Sequence, residues 1–366
     1  MQAKEFNFSR YHDFYERTQK RLRDFETNRV RELMVSQHPA CEFYGALSNS
    51  KETSLEAQLD SLTAAMDLHS DFAFNYLEPW HGVGIYAAAF GSPVIRTNHT
   101  AIQTLYRYQS IDDLEENIAY PDYSKCEYLT MVLDTIRYFK EQTGGEIPIC
   151  LTDTQSPNDT ASLILDACEL FAASISEPEL LQDLLGKVTR LITEFTERQI
   201  EEIGEGNVAY YGHQMYSDPS FRGISLSDDN VAVVSPRSFR NSSLDYLKEL
   251  SLHFDGLALH SCGRFTHSLP DILEIPKLKV LECAVGFGDP GFPSDPNPNE
   301  AEKLREYFLD RDISLKVRLG PNELERVFPL LDRRIKLQIQ LVTHGSIDEK
   351  NRQYDRAKEI LLAHYK

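Results

Sequence analysis

Eight short runs of Val, Ile, Leu and aromatic residues recur along the chain, at 71–77, 147–151, 207–213, 223–226, 256–260, 279–285, 314–319 and 336–342. Stretches of helical periodicity separate most of them, at 125–142, 179–203, 238–252, 299–309, 323–330 and 347–364. Strand followed by helix, repeated, makes neighbouring strands parallel and covers their outer face with helices. Eight such units over about 275 residues suit a closed α/β (β/α)8 TIM barrel better than an open doubly wound sheet. No GxGxxG follows an early strand and no GxxxxGK[ST] occurs, so both common nucleotide fingerprints are absent.

The first 70 residues read differently. Residues 11–34 place Phe14, Leu22, Phe25, Val30 and Leu33 among many charges, as an amphipathic helix with a break near Thr27-Asn28. Residues 54–66 form a second helix, with Ser54 as its N-cap. The expected organisation is a helical extension over 1–70 packed on a barrel over 71–366, together one structural domain.

Charge narrows the partners. Lys and Arg number 38 and Asp and Glu 57, a formal charge of −19. Such a surface repels phosphate backbones and anionic lipid, which argues against nucleic acid and membrane partners. The uncharged stretch between Glu78 and Arg96 contains Pro79, Gly82, Gly84, Gly91 and Pro93 and makes a poor membrane span. The N-terminus has no apolar signal core, and the six cysteines include no CxxC pair. A reduced, cytoplasmic location is the expectation.

A TIM barrel keeps its chemistry at the carboxyl ends of its strands. That rule selects Trp80 and His81, Asp153, His213 with Met215 and Tyr216, Asp228 and Asp229, His260 and Cys262, Glu282 and Cys283, Arg318, and His344. Within this set His260-Ser261-Cys262-Gly263 stands out. An imidazole and a thiol two residues apart at a strand end suit zinc. Cys283 and His344 are the candidates for a third ligand, and Asp228 or Glu282 for a further oxygen. Free cysteines are also commonly small buried apolar residues, and Asp228-Asp229 also suits a turn. Trp80, His213 and Tyr216 are candidates to line a cofactor. The Pro-, Gly- and Asp-rich segment 288–300 reads as a long loop after the sixth strand.

Residues 259–282, LHSCGRFTHSLPDILEIPKLKVLE, resemble the uroporphyrinogen decarboxylase superfamily, most closely the branch of corrinoid-linked methyltransferases. Further pieces agree in order: EPWHGVGIYAAAFGSPVI (78–95), ISEPELLQDLLGKVTRLITEFTERQI (175–200), SLSDDNVAVVSPRSFRNSSLDYL (225–247) and LVTHGSIDEKNRQYDRAKEIL (341–361). The resemblance spans roughly 70 to 366. It implies one barrel domain in which zinc, held by the His and Cys of HxC and a distal Cys near the last strand, activates a thiol. That thiol attacks a methyl group on a corrinoid carried by a partner protein. His260 and Cys262 match the pattern. The distal Cys does not, since none follows Cys283, and His344 occupies that region. Asp228 is then a ligand or a general acid/base, and Arg318 orients an anionic group.

The decarboxylase branch implies a carboxylated tetrapyrrole, an arginine-rich N-terminal loop and an acid after an early strand. Residues 17–25 read instead as a helix, and no RQAGR-like stretch occurs. That alternative would use Asp153 or Asp228 to move a proton. The remaining alternative is a non-catalytic barrel that binds a corrinoid or a partner.

Overall fold

The computed structural model describes residues 2–27, 32–37, 50–95, 102–114, 118–216, 219–289 and 292–366. Val30 and Cys41 lie outside the described residues, as does the side chain of His213.

Parallel strands with helices around them form the body. The principal strands are β1 (Met34–Gln37), β2 (Ile149–Cys150), β3 (Val208–Ala209), β4 (Ile224–Ser227), β5 (Leu257–His260), β6 (Leu278–Ala284), β7 (Ser314–Leu319) and β8 (Lys336–Leu341). Six of them make one sheet in the order β1-β8-β7-β6-β5-β4, every pairing parallel. Single parallel bridges carry the ladder onward, Ser36 to Phe72 and Leu77 to Ile149. From there β2 pairs with β3, and Gln155 bridges Ser227 at the end of β4. The sequence-based barrel is thus present, though its ladder is continuous over six strands and carried elsewhere by short pairings.

The N-terminal segment differs from the expected helical extension. Met34–Gln37 pairs with β8 and bridges Phe72, so it stands in the sheet between the last and the first expected strands. The first helix, Phe8–Thr27, ends where the break was expected and buries Tyr11, Phe14, Leu22 and Phe25. The second, Lys51–Ala65, is capped by Ser50, whose hydroxyl accepts the Thr53 N–H, while Ser54 is buried one turn in.

Strand alternation sorts side chains between two cores. Leu257, Leu259, Leu281, Cys283, Leu315 and Val317 join the large core shared with the helices. Ala258 and Val280 belong to a separate inner cluster with Tyr210, Met215 and Phe221. On that inner parity the strands continue to His260, Glu282, Lys316, Arg318, Gln338 and Gln340, so the barrel interior turns polar toward its carboxyl end. The Gln340 amide donates to Gln214 and the Gln338 amide to the Tyr216 carbonyl, which ties the chain after β3 into the interior.

Candidate metal centre

At the carboxyl end of β5 the chain turns through Ser261 and Cys262 to Gly263, which sits at φ +76°. A Cβ on Gly263 would lie 2.9 Å from the Ala232 Cβ, so conformation and space both select glycine here. The segment expected as a long loop clamps this turn. Asp295 accepts the Gly263 N–H at 2.6 Å, and Asn299 accepts from Phe265 N and donates to the Gly263 carbonyl. Asp295 and Asn299 are both buried. Neither was selected by the strand-end rule, because they act through the loop rather than from a strand.

The turn brings three donors together. His260 Nε2 is 3.2 Å from Cys262 Sγ and 3.7 Å from Asp229 Oδ1. All three ligand atoms lie within 4.8 Å of one another. Tetrahedral ligands at zinc bond lengths of 2.0–2.3 Å stand roughly 3.3–3.8 Å apart, so both spacings from His260 Nε2 are close to those of ligands on one ion. Asp229 is fixed for the task. Its Oδ1 accepts the Cys262 N–H at 2.6 Å, and its own N–H donates to buried Asp159.

Behind the donors lies a buried charge chain. His260 and Glu282 are register partners on β5 and β6, and Nδ1 meets Glu282 Oε2. Burial alone would push the Glu282 carboxyl up, but Arg318, His260 and Lys316 together hold it well below the usual carboxylate range. An ionised carboxylate only accepts, so the His260 proton sits on Nδ1 and Nε2 presents its lone pair to the other donors. Arg318 Nε is 2.5 Å from Glu282 Oε1. The Cys262 thiol is pushed up to about 12 by burial and then by Asp229, against the opposing pull of Arg318. Without a cation this thiol stays protonated.

Lys316, one strand over on the same face, is 2% exposed. Burial pushes it down to about 8, against the attraction of Glu282. Between that value and the ordinary lysine range the unfolded chain binds the proton and the folded chain does not, so stability rises with pH across the window. The rise is roughly 3 kcal/mol for a shift of this size. Lys316→Met is expected to flatten it, measured as the parent–variant difference in urea unfolding between about pH 8 and pH 10.

Several expected site residues lie elsewhere, and alternation explains two of them. Cys283 follows Glu282 on β6, so its side chain enters the outer core and is fully buried there. It is not part of the donor group. Asp228 is likewise one residue off parity, because Ser227 pairs with His260. Its carboxyl turns outward to Ser243 and Ser156, and burial pushes it up to about 7. Asp229 takes the place expected of Asp228. His344 is at the mouth but outside the donor group, its Nδ1 3.8 Å from Asp289 Oδ2. Asp153 accepts from the Trp80 indole at 3.2 Å, so these two form a pair of their own. Tyr216 is 1% exposed and packs on Phe72 with ring centroids 3.7 Å apart, as an interior packing residue. No helix among the described residues is long and apolar enough to cross a membrane.

No curated protein matches the chain. Among solved structures, a methyltransferase from Methanosarcina mazei shares the fold, with a TM-score of 0.62 at 15% sequence identity over 94% of this chain and 99% of that one. The family model for uroporphyrinogen decarboxylase (URO-D) matches residues 62–284, a span that holds His260, Cys262, Asp229 and Glu282 and exceeds half the chain. The chain therefore belongs to the uroporphyrinogen decarboxylase family.

Proposed function

We propose that this protein is a zinc-assisted methyltransferase that passes a methyl group from a corrinoid, carried by a partner protein, to a thiol. One observation carries the reading: an imidazole, a thiol and a carboxylate stand within 4.8 Å of one another at the ends of two neighbouring barrel strands, backed by a buried carboxylate that sets the histidine tautomer. Zinc, when bound, supplies the positive charge that keeps a coordinated thiol ionised at neutral pH. His260, Cys262 and Asp229 would hold it, with the fourth position for the acceptor thiol. Glu282 orients His260, and the Arg318 guanidinium favours the ionised form of Cys262. The fold shared with a methyltransferase supports the same reading.

The carboxylated-tetrapyrrole alternative calls for several cations turned to the mouth. Among the described residues, the inner-face cations Arg318 and Lys316 both act on Glu282 instead, so the family match alone speaks for it. The test uses zinc-loaded protein with methylcobalamin and 2-mercaptoethanol. The expected result is loss of the methyl–cobalt spectrum with formation of the methyl thioether, abolished by chelation and restored by zinc. Turnover indifferent to zinc would overturn the proposal. Corrinoid binding without any transfer would favour a non-catalytic barrel.

A further inference from the structure

The two peptide planes that flank a residue fix where its Cβ points, since the backbone turns only at the α-carbon between them. This matters for Cys262, whose side chain is exposed at the mouth and belongs to neither apolar core. Its direction must come from the backbone. The plane before it is pinned by Asp229, which accepts the Cys262 N–H. The plane after it is pinned at both edges. The Ser261 hydroxyl donates to the Cys262 carbonyl at 3.0 Å, and the Gly263 N–H donates to Asp295 Oδ2 at 2.6 Å. Asn299 then holds the next two steps. Its amide donates to the Gly263 carbonyl at 2.9 Å, and its Oδ1 accepts the Phe265 N–H at 3.0 Å. Between them, Arg264 Nε donates to the Pro298 carbonyl at 3.2 Å.

The holding groups are themselves fixed. Asp295 Oδ1 accepts the Asn297 N–H at 2.8 Å, and the Asn299 N–H donates to the Ala284 carbonyl at the end of β6 at 2.9 Å. Asp295 and Asn299 are each 3% exposed, so water does not compete for their hydrogen bonds. Both lie on the chain that leaves β6, the strand whose Glu282 orients His260. One strand and the segment after it therefore hold the imidazole and the sulfur in their relative places. The Asp295 charge works against a thiolate nearby, so its contribution lies in the hydrogen bond.

We infer that Asp295 and Asn299 are positioning residues for the Cys262 sulfur: they set the Cys262–Gly263 peptide plane and so aim the thiol at the point shared with His260 Nε2 and Asp229. This rests on the zinc-site reading above. Glu282 does the same service for the imidazole, by a different contact. Loss of the clamp therefore removes sulfur from the donor group and leaves His260 and Asp229 in place.

Cobalt(II) in place of zinc tests this, because sulfur ligation gives a sulfur-to-cobalt charge-transfer band that imidazole and carboxylate ligation do not. Asn299→Ala and Asp295→Ala are each expected to lose most of that band at saturating cobalt and to bind zinc about 10–100-fold more weakly. Either variant suffices should the other not fold. Asp295→Asn keeps a carbonyl oxygen for the Gly263 N–H and is expected to retain the band. Ala variants with the parent's band and zinc affinity would overturn the inference, and so would an Asp295→Asn variant that loses the band as fully as Asp295→Ala. Amide hydrogen exchange on metal-free protein separates the clamp from the metal. Exchange in the peptide spanning 261–265 is expected to quicken in both Ala variants, and unchanged exchange would overturn the inference even where the parent binds cobalt through sulfur. A parent without the band would refute the zinc-site reading, while faster exchange in the variants would still show the clamp's hold on the turn.

Discussion

Replacing Cys262 with Ala is expected to lower zinc affinity by about two to three orders of magnitude. Structural zinc sites with four protein donors bind with roughly 10–16 kcal/mol, or about 2.5–4 kcal/mol per donor. Here three protein donors share the ion, so each loss is felt in full. Asp229→Asn should cost less than Cys262→Ala, because the amide keeps an oxygen at the same place and loses only the charge. Because burial and Asp229 push the Cys262 thiol up to about 12, zinc must displace its proton. Zinc affinity should therefore rise with pH through neutrality in the parent, and Cys262→Ala should lose that thiol-dependent part of the slope. Competition with a chromophoric chelator at several pH values measures both effects. A Cys262→Ala protein that holds zinc as tightly as the parent would remove sulfur from the site.

Glu282→Gln should be the most destabilising conservative change in the barrel. Glu282 is 1% exposed and opposes Arg318, His260 and Lys316. Removing the carboxylate leaves buried cations without their counter-charge, which costs about 3–5 kcal/mol. The sign of the pH dependence follows from the same contacts. The folded Glu282 carboxyl is held well below its unfolded range, so its stabilisation is present above the unfolded value and is lost as pH falls toward the folded one. The parent should thus lose stability in acid more steeply than the Gln variant. Zinc binding should weaken as well, by about 10–100-fold, because the charged acceptor that fixes the His260 tautomer becomes a neutral amide that can also turn its N–H2 to the ring. Urea unfolding at neutral and acid pH checks the first effect, and the chelator competition checks the second. A variant as stable as the parent would mean that Glu282 does not carry the charge balance.

The barrel was legible because short apolar runs recur with helical stretches between most of them, a signal that survives short pairings such as Ile149–Cys150. Met34–Gln37 was not legible. Four residues beside a charged helix carry no alternation worth reading, and only pairing with β8 makes them a strand. His260 and Cys262 were singled out by their spacing at a strand end and by the resemblance, and the structure brings the two groups together. Asp228 and Cys283 were misplaced because the strand-end rule gives a position along the strand and not a face. Alternation would have corrected both. Taking His260 as inward, its register partner Glu282 is inward and Cys283 is not, and the same parity on β4 turns Asp228 out and leaves Asp229 for the mouth. Asp295 and Asn299 lay in a segment legible as a loop, but their hold on Gly263 depends on a fold-back that no local pattern announces.

Zinc K-edge X-ray absorption on the zinc-loaded protein tests the proposed centre most directly. The geometry of Asp229, His260 and Cys262 predicts one sulfur at about 2.3 Å with nitrogen and oxygen near 2.0–2.1 Å, and a second sulfur once 2-mercaptoethanol is added. A shell without sulfur, or one with two sulfurs before any thiol is present, would contradict it.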